Sequence, residues 1–237
     1  MYREAIAAKK VVLGDSHLDT LTTMNTLANL YCRQPSSDVA MTQKNYESAR
    51  SLYEQCYEIS AAAFGERHTY TLFAMNNLAV VLCCQNRLDI AQPWHEDCYE
   101  LRRQVLGETH TDTLTSLHNL VTLYRDRNMI ELALPLAERC YRLRKTTLGE
   151  RHVSTLASLH SLAMLLTSDS SPSESKDKVD NKAKAKQMLQ DCYEARRAVL
   201  GDRHPDTVKT KQCLDGLGVS SSSNNTSTSK GSDCVIC

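Results

Sequence analysis

One phrase recurs five times along this chain, as LGDSHLDTL, FGERHTYTL, LGETHTDTL, LGERHVSTL and LGDRHPDTV. Recurrence of this kind describes an array of like units, because a short unit that cannot bury its own apolar face must stack on its neighbours. The glycines of the phrase are Gly14, Gly65, Gly107, Gly149 and Gly201, at successive spacings of 51, 42, 42 and 52 residues. The basic unit is therefore 42 residues, with two longer members. Both excesses fall in polar stretches, RQPSSDVAMTQK at 33–44 and TSDSSPSESKDKVDNK at 167–182, which read as loops grown between paired helices.

Within a unit the first half carries apolar residues at helical spacing. Leu72, Met75, Leu78, Ala79 and Leu82 match Leu114, Leu117, Leu120, Val121 and Tyr124, and define a helix A. The second half repeats Ala91, Trp94, Cys98 and Tyr99 against Ala133, Leu136, Cys140 and Tyr141, and defines a helix B. The glycine after each helix B suits a left-handed C-terminal cap, and an Asp or Ser followed by Thr, as at Asp112 and Thr113, favours a new helix start. The expected fold is all-α: an α-solenoid of stacked helical hairpins with a concave inner wall, neighbouring helices about 8–10 Å apart.

Composition removes several function classes. The 28 Lys+Arg equal the 28 Asp+Glu, so there is no field of one sign to draw a polyanion, which argues against nucleic acid. The opening MYREAIAAKKVVLG lacks the apolar core of a secretion signal, and no run approaches the roughly 20 apolar residues of a membrane span. A cytoplasmic location with reduced thiols is expected for the ten cysteines.

The phrase LGxxHxDTLxxxxNLAxLY, followed by a helix B of the type AxPLxxxCYELR, resembles the 42-residue tetratricopeptide repeat of kinesin light chains and their relatives. The resemblance covers residues 1 to about 217: a half repeat at 1–13, full repeats at about 20–64, 71–106, 113–148 and 155–200, and a final helix at 206–216. It implies a right-handed solenoid. Pro93 and Pro135 fall where this repeat subtype places proline early in helix B. Kinesin light chains also carry a heptad segment that joins them to the motor chain; nothing here repeats at seven, which speaks against a motor heavy chain as partner. The opening half hairpin fits either a missing upstream part or an atypical terminal repeat.

In such an array, helix A residues off the packing stripe face the inner wall. One column reads Asn25, Asn76, His118 and His160, and its neighbour Asn29, Val80, Thr122 and Met164, with Arg33 and Arg125 near the helix ends. Carboxamides can hydrogen-bond the backbone of an extended peptide whatever its side chains, while Phe73, Val80 and Met164 offer shallow apolar pockets. The resemblance implies peptide-binding asparagines of the NNLA type, which Asn76 and Asn25 match and His118 and His160 do not. The expected peptide-binding set is Asn25, Asn29, Phe73, Asn76, Val80, His118, Thr122, Arg125 and His160; the competing reading makes each a solvated helix position.

Two ladders invite chemistry. His17, His68, His110, His152 and His204 recur once per unit, too far apart to converge on a metal with 2.0–2.1 Å bonds, and read as caps of the inter-repeat turns. Cys56, Cys98, Cys140 and Cys192 occupy the small buried slot of each helix B, filled by Ala5 in the half repeat, and act as small hydrophobes. The adjacent Cys83 and Cys84 are reactive only if exposed. No phosphate loop, nucleophile elbow or HExxH occurs, so no enzyme, cofactor or metal is expected.

Residues 218–237 form a Ser-rich stretch too poor in apolar residues to fold, ending in Cys-Val-Ile-Cys. That ending fits prenylation at Cys234 with loss of 235–237, a single weak and reversible link to membrane surfaces; an inert tail and a CxxC metal or redox pair are the alternatives. The functional expectation is a non-enzymatic adaptor holding a partner protein's peptide on the concave face, with peripheral membrane recruitment through the prenyl group. The alternative is a structural scaffold or oligomerising module that works through its ends and loops.

Overall fold

The computed structural model describes residues 1–34, 38–168 and 176–218. Its ten helices, with no strand among the described residues, are α1 (Tyr2–Leu13), α2 (Leu18–Arg33), α3 (Val39–Phe64), α4 (Thr69–Cys84), α5 (Leu88–Leu106), α6 (Thr111–Asp126), α7 (Ile130–Leu148), α8 (Val153–Thr167), α9 (Lys176–Leu200) and α10 (Pro205–Gly218). The even-numbered helices are the A helices and the odd-numbered the B helices of the period. They fall into two compact units, residues 1–123 and the described residues from 124 onward.

In the first unit α1 packs on α2, α2 on α3, α3 on α4 and α4 on α5. Short connections reverse the chain at each step, so consecutive helices are antiparallel. The spacing of apolar residues sets what meets in the seams: Ile6, Leu21, Met24, Cys56 and Ala74 form one cluster, and Leu72, Met75 and Cys98 the next, with Tyr57 and Trp94 against it. Tyr57 and Trp94 meet edge to face at 4.9 Å. In the second unit α7 packs on α8, α8 on α9 and α9 on α10, around Leu156, Leu159 and Cys192.

Every inter-repeat glycine has positive φ, between +87° and +93°. The expected left-handed cap is corrected in one respect: ψ lies near 160° at Gly14, Gly65, Gly107 and Gly149, the mirror image of extended backbone rather than of helix. That region is essentially closed to residues with a Cβ. A Cβ at these glycines would meet nothing within 4 Å, so glycine is required by the backbone and not by crowding.

The tight turns between paired helices rest on two asparagines that the sequence reading passed over. Asn86 and Asn128, 42 residues apart, take φ of 58° and 59°, the true left-handed region that asparagine tolerates. The next amides close the ends: Arg87 N–H donates to Leu82 O at 2.9 Å, and Met129 N–H to Tyr124 O at 2.8 Å.

The polar excess of the two long repeats also needs correction, for only part of it is loop. In register with α5, whose start lies ten residues before Cys98, helix B would start at Tyr46 before Cys56 and at Lys182 before Cys192. Instead α3 starts at Val39 and α9 at Lys176. Much of each insertion is added helical turns, as residues such as Ala40, Met41, Lys44 and Lys178 favour helix once one is nucleated.

Candidate peptide-binding wall

The start of every A helix is built the same way. The ring Nδ1 of His17, His68, His110, His152 and His204 accepts the N–H two residues on, at 3.1–3.2 Å. Histidine is the N-cap, in keeping with its recurrence at each inter-repeat turn, and the Asp or Ser two residues on, replaced by Tyr70 in α4, lies in the first turn of the helix. The threonine of the phrase is buried and reaches back instead: Thr20 and Thr71 donate to Gly14 O and Gly65 O at 2.9 Å, and Thr113 and Thr155 to Arg102 O and Arg144 O at 3.2 Å. Cap and threonine together pin four of the five A helices to the B helix before them; at α10 the hydroxyl of Thr207 is buried without a partner.

A third ladder was not singled out from the sequence. Arg102, Arg144 and Arg196 follow the ladder cysteines by four residues and are almost wholly buried. Each uses Nη1 twice: on the carbonyl ten residues on (Asp112, Ser154, Asp206; 2.9–3.0 Å) and on the hydroxyl fourteen on (Ser116, Ser158, Thr210; 2.7–2.9 Å). Lys9 does the same with Asp19 O at 3.3 Å and Thr23 Oγ1 at 2.9 Å. One seam departs. Ser60 stands in the cation position, donating to Tyr57 O, and Ala74 stands where the hydroxyl would be. The signal was legible as a cation at the same step of the period in four of five units.

The predicted wall residues are mostly enclosed. Asn76, Val80 and Thr122 are fully buried, and His118 and His160 nearly so. None of these is a solvated position, because each A helix is flanked by stacked elements over most of its circumference. The Asn76 carboxamide oxygen accepts from Asn119 Nδ2 at 3.2 Å and from Ser116 Oγ at 3.4 Å, which joins it to the Arg102 ladder. Thr122 donates to His118 O at 3.0 Å. In the second unit His160 Nδ1 lies 3.5 Å from Thr210 Oγ1, and the half-buried Arg125 pairs with Asp126 at 3.0 Å.

Three predicted residues do converge. Asn25, Asn29 and Phe73 line one cavity of about 390 Å³ with Thr22, Tyr70 and Asp112. Asn25 is 2% exposed; its Nδ2 donates to Leu21 O at 3.2 Å and to the Tyr70 hydroxyl, while its Oδ1 has no hydrogen-bond partner. The amide cannot be turned round, since Leu21 O accepts only. The open atom is therefore an acceptor. Asn29 Oδ1 accepts from Tyr53 Oη. Burial pushes the Tyr70 phenol up, so it stays protonated.

The ladder cysteines are sealed. Cys98 and Cys192 point at Leu72 O and Leu156 O, at 3.5 and 3.3 Å, and Cys140 at Ser158 Oγ at 3.4 Å. Burial pushes the Cys56 thiol up to about 12, with Lys10 opposing weakly, and raises Cys140 and Cys192 as well. Cys83 is buried, with Sγ 3.5 Å from His95 Nε2, and Cys84 is half-buried. No cluster of three or more metal-ligating side chains occurs among the described residues, and no described helix is long and apolar enough to cross a membrane. A second cavity, about 770 Å³ and mostly apolar, lies in the second unit among Ile130, Leu132, Pro135, Leu165 and Leu166, away from every predicted residue. Cys234 and the tail lie outside the described residues.

Two family models, each described as tetratricopeptide repeat, match the chain: one over residues 35–103 and 71–146, the other over 178–206, together more than half of its length. A candidate kinesin light chain from Podosopora anserina, made of nearly identical TPR-like repeats, superposes with a TM-score of 0.61 at 21% identity, over 84% of this chain and 85% of that one. A variant form of it gives 0.63 with the same identity and coverage. BtubC (BKLC) from P. vanneervenii superposes with a TM-score of 0.64 at 20% identity, over 86% of this chain and 73% of that one. No curated protein matches in sequence.

Proposed function

This chain belongs to the tetratricopeptide repeat family, and from that premise we propose that it is a non-enzymatic adaptor whose first unit holds an extended segment of a partner protein. Repeats of this kind serve protein–protein interaction or scaffolding. The observation that favours a peptide site is the buried, unpartnered Oδ1 of Asn25 in a cavity shared with Asn29 and Phe73. A buried acceptor left without a donor costs about 1–3 kcal/mol, which an incoming N–H recovers. Phe73 and Tyr70, their rings 5.8 Å apart, supply apolar contact for a side chain. Asn76, Val80, His118 and Thr122 then act as the packed floor that keeps the A helices at fixed spacing, rather than as contacts.

The test is selection of a displayed random peptide library on the full chain, followed by affinity measurement with Asn25→Ala and Phe73→Ala. We expect roughly tenfold weaker binding for Asn25→Ala with helical circular dichroism unchanged, a loss of about 1.4 kcal/mol. Equal affinities for wild type and both variants would favour the scaffold reading, in which the wall is idle. Membrane recruitment through a prenyl group on Cys234 is the second part of the proposal, supported by the Cys-Val-Ile-Cys ending. The intact mass of the full chain from eukaryotic cells decides it: a prenyl adduct with loss of 235–237 is expected, and an unmodified mass retires the idea.

A further inference from the structure

The cavity that holds Asn25 carries more information than its volume. Its lining contains one carboxylate, Asp112, and no lysine or arginine. The one other titratable side chain with nitrogen, His68, accepts the Tyr70 N–H on Nδ1 and caps α4 as an acceptor. Asp112 Oδ2 stands 3.9 Å from His110 Nδ1, but that nitrogen already accepts the Asp112 N–H at 3.1 Å and so brings no proton to the carboxylate. Among the described residues no lysine or arginine pairs with the side chain of Asp112, whose half-exposed carboxylate meets solvent and the partial charge of the α6 N-terminus, a fraction of a formal charge.

Two acceptors thus stand at one pocket: the Oδ1 of Asn25, buried and without a hydrogen-bond partner, and the half-exposed carboxylate of Asp112. Beside them stand the tilted Tyr70 and Phe73 rings, at 44° to each other, and the half-exposed Leu18. An anion would meet the Asn25 carbonyl and a like charge. An aliphatic side chain would leave Asn25 Oδ1 unmet. A planar cation with several N–H donors meets the acceptors with its edge and the aromatic rings with its face.

We propose that this pocket takes one cationic side chain, arginine before lysine, from the bound segment. The inference rests on the reading of the first unit as a peptide-binding wall and adds the class of residue the wall selects. The guanidinium lies against Phe73 and Tyr70, donating to Asn25 Oδ1 and Asp112.

The test uses the full-length chain and five probes, acetyl-Gly-Gly-Xaa-Gly-Gly-amide with arginine, lysine, citrulline, glutamate or leucine at Xaa, titrated by amide nuclear magnetic resonance. Citrulline keeps the shape of arginine and removes its charge. The arginine probe should bind about tenfold tighter than citrulline, the difference between charge-assisted and neutral hydrogen bonds, and shift the Asn25 and Phe73 signals. Asp112→Asn, at a half-exposed position in the first turn of α6, should reduce that preference to about twofold without loss of fold. Leucine or glutamate probes binding as tightly as arginine, or an arginine preference indifferent to Asp112→Asn, would overturn the cation assignment while leaving peptide binding intact. Absence of saturable binding for all five, with no signal shifted, would overturn both.

Discussion

At the scale of single residues, the buried arginine ladder is the feature with the clearest energetic consequence. Arg102 is almost wholly enclosed, and its Nη1 serves the Asp112 carbonyl and the Ser116 hydroxyl at once. Truncation would leave both acceptors and a void, so Arg102→Ala should destabilise the chain by about 2–4 kcal/mol, read from the midpoint of urea unfolding. The ladder cysteines make a separate prediction, about pH. Cys56 titrates near 12 in the fold against an ordinary 9.0. Between those values the unfolded chain has released the proton and the folded chain has not, so stability falls as pH rises from 9 toward 12, by about 1.4 kcal/mol per pH unit for one such thiol. Below 9 both states hold the proton and Cys56 contributes no slope. Urea midpoints of wild type and Cys56→Ala across pH 8–11 check this, the variant losing part of the slope. That cysteine fills a small buried slot was readable from its period. The Arg102 pairing was not, because the hydroxyl it needs lies fourteen residues on in another helix.

At the scale of helices, the inter-repeat joints decide how each hairpin follows the last. The glycine backbone lies in a region closed to side chains while the space around it is open. Gly107→Ala should therefore cost about 1–3 kcal/mol from backbone strain alone, with no packing defect. Asn86 and Asn128 hold the left-handed turns between paired helices, so Asn86→Gly should be tolerated where Asn86→Val is not, a contrast that thermal melts would show. The sequence marked these joints by glycine and turn composition, since local backbone preference acts within a few residues. It marked the recurring histidines as caps of the inter-repeat turns, while the geometry of the cap, a ring nitrogen accepting two residues on, is a matter of side-chain orientation. It misjudged the long repeats, where added turns on α3 and α9 read as loop: polar composition does not separate an exposed helix from a loop.

At the scale of the molecule, an array's stability is a sum over seams, and the seams here are unequal. Four carry a buried or half-buried cation on a hydroxyl; the one at Ser60 and Ala74 does not. Beyond that seam lies α1, whose Val11 and Val12 are 88% and 78% exposed. Native-state hydrogen exchange should find α1–α3 opening at lower free energy than α4–α5. Uniform protection across the first unit would contradict that ranking. The sequence by itself determined the period, the alternation of A and B helices, the glycine joints and the cysteine slot, because each follows from local propensity or from apolar spacing on one helix face. Tertiary structure alone decided which helix A residues meet solvent. Asn76 and Asn25 share a sequence column, yet Asn76 is spent on Asn119 and Ser116 while Asn25 keeps an acceptor open in a cavity. That difference depends on neighbours forty or more residues distant, and no local pattern records it.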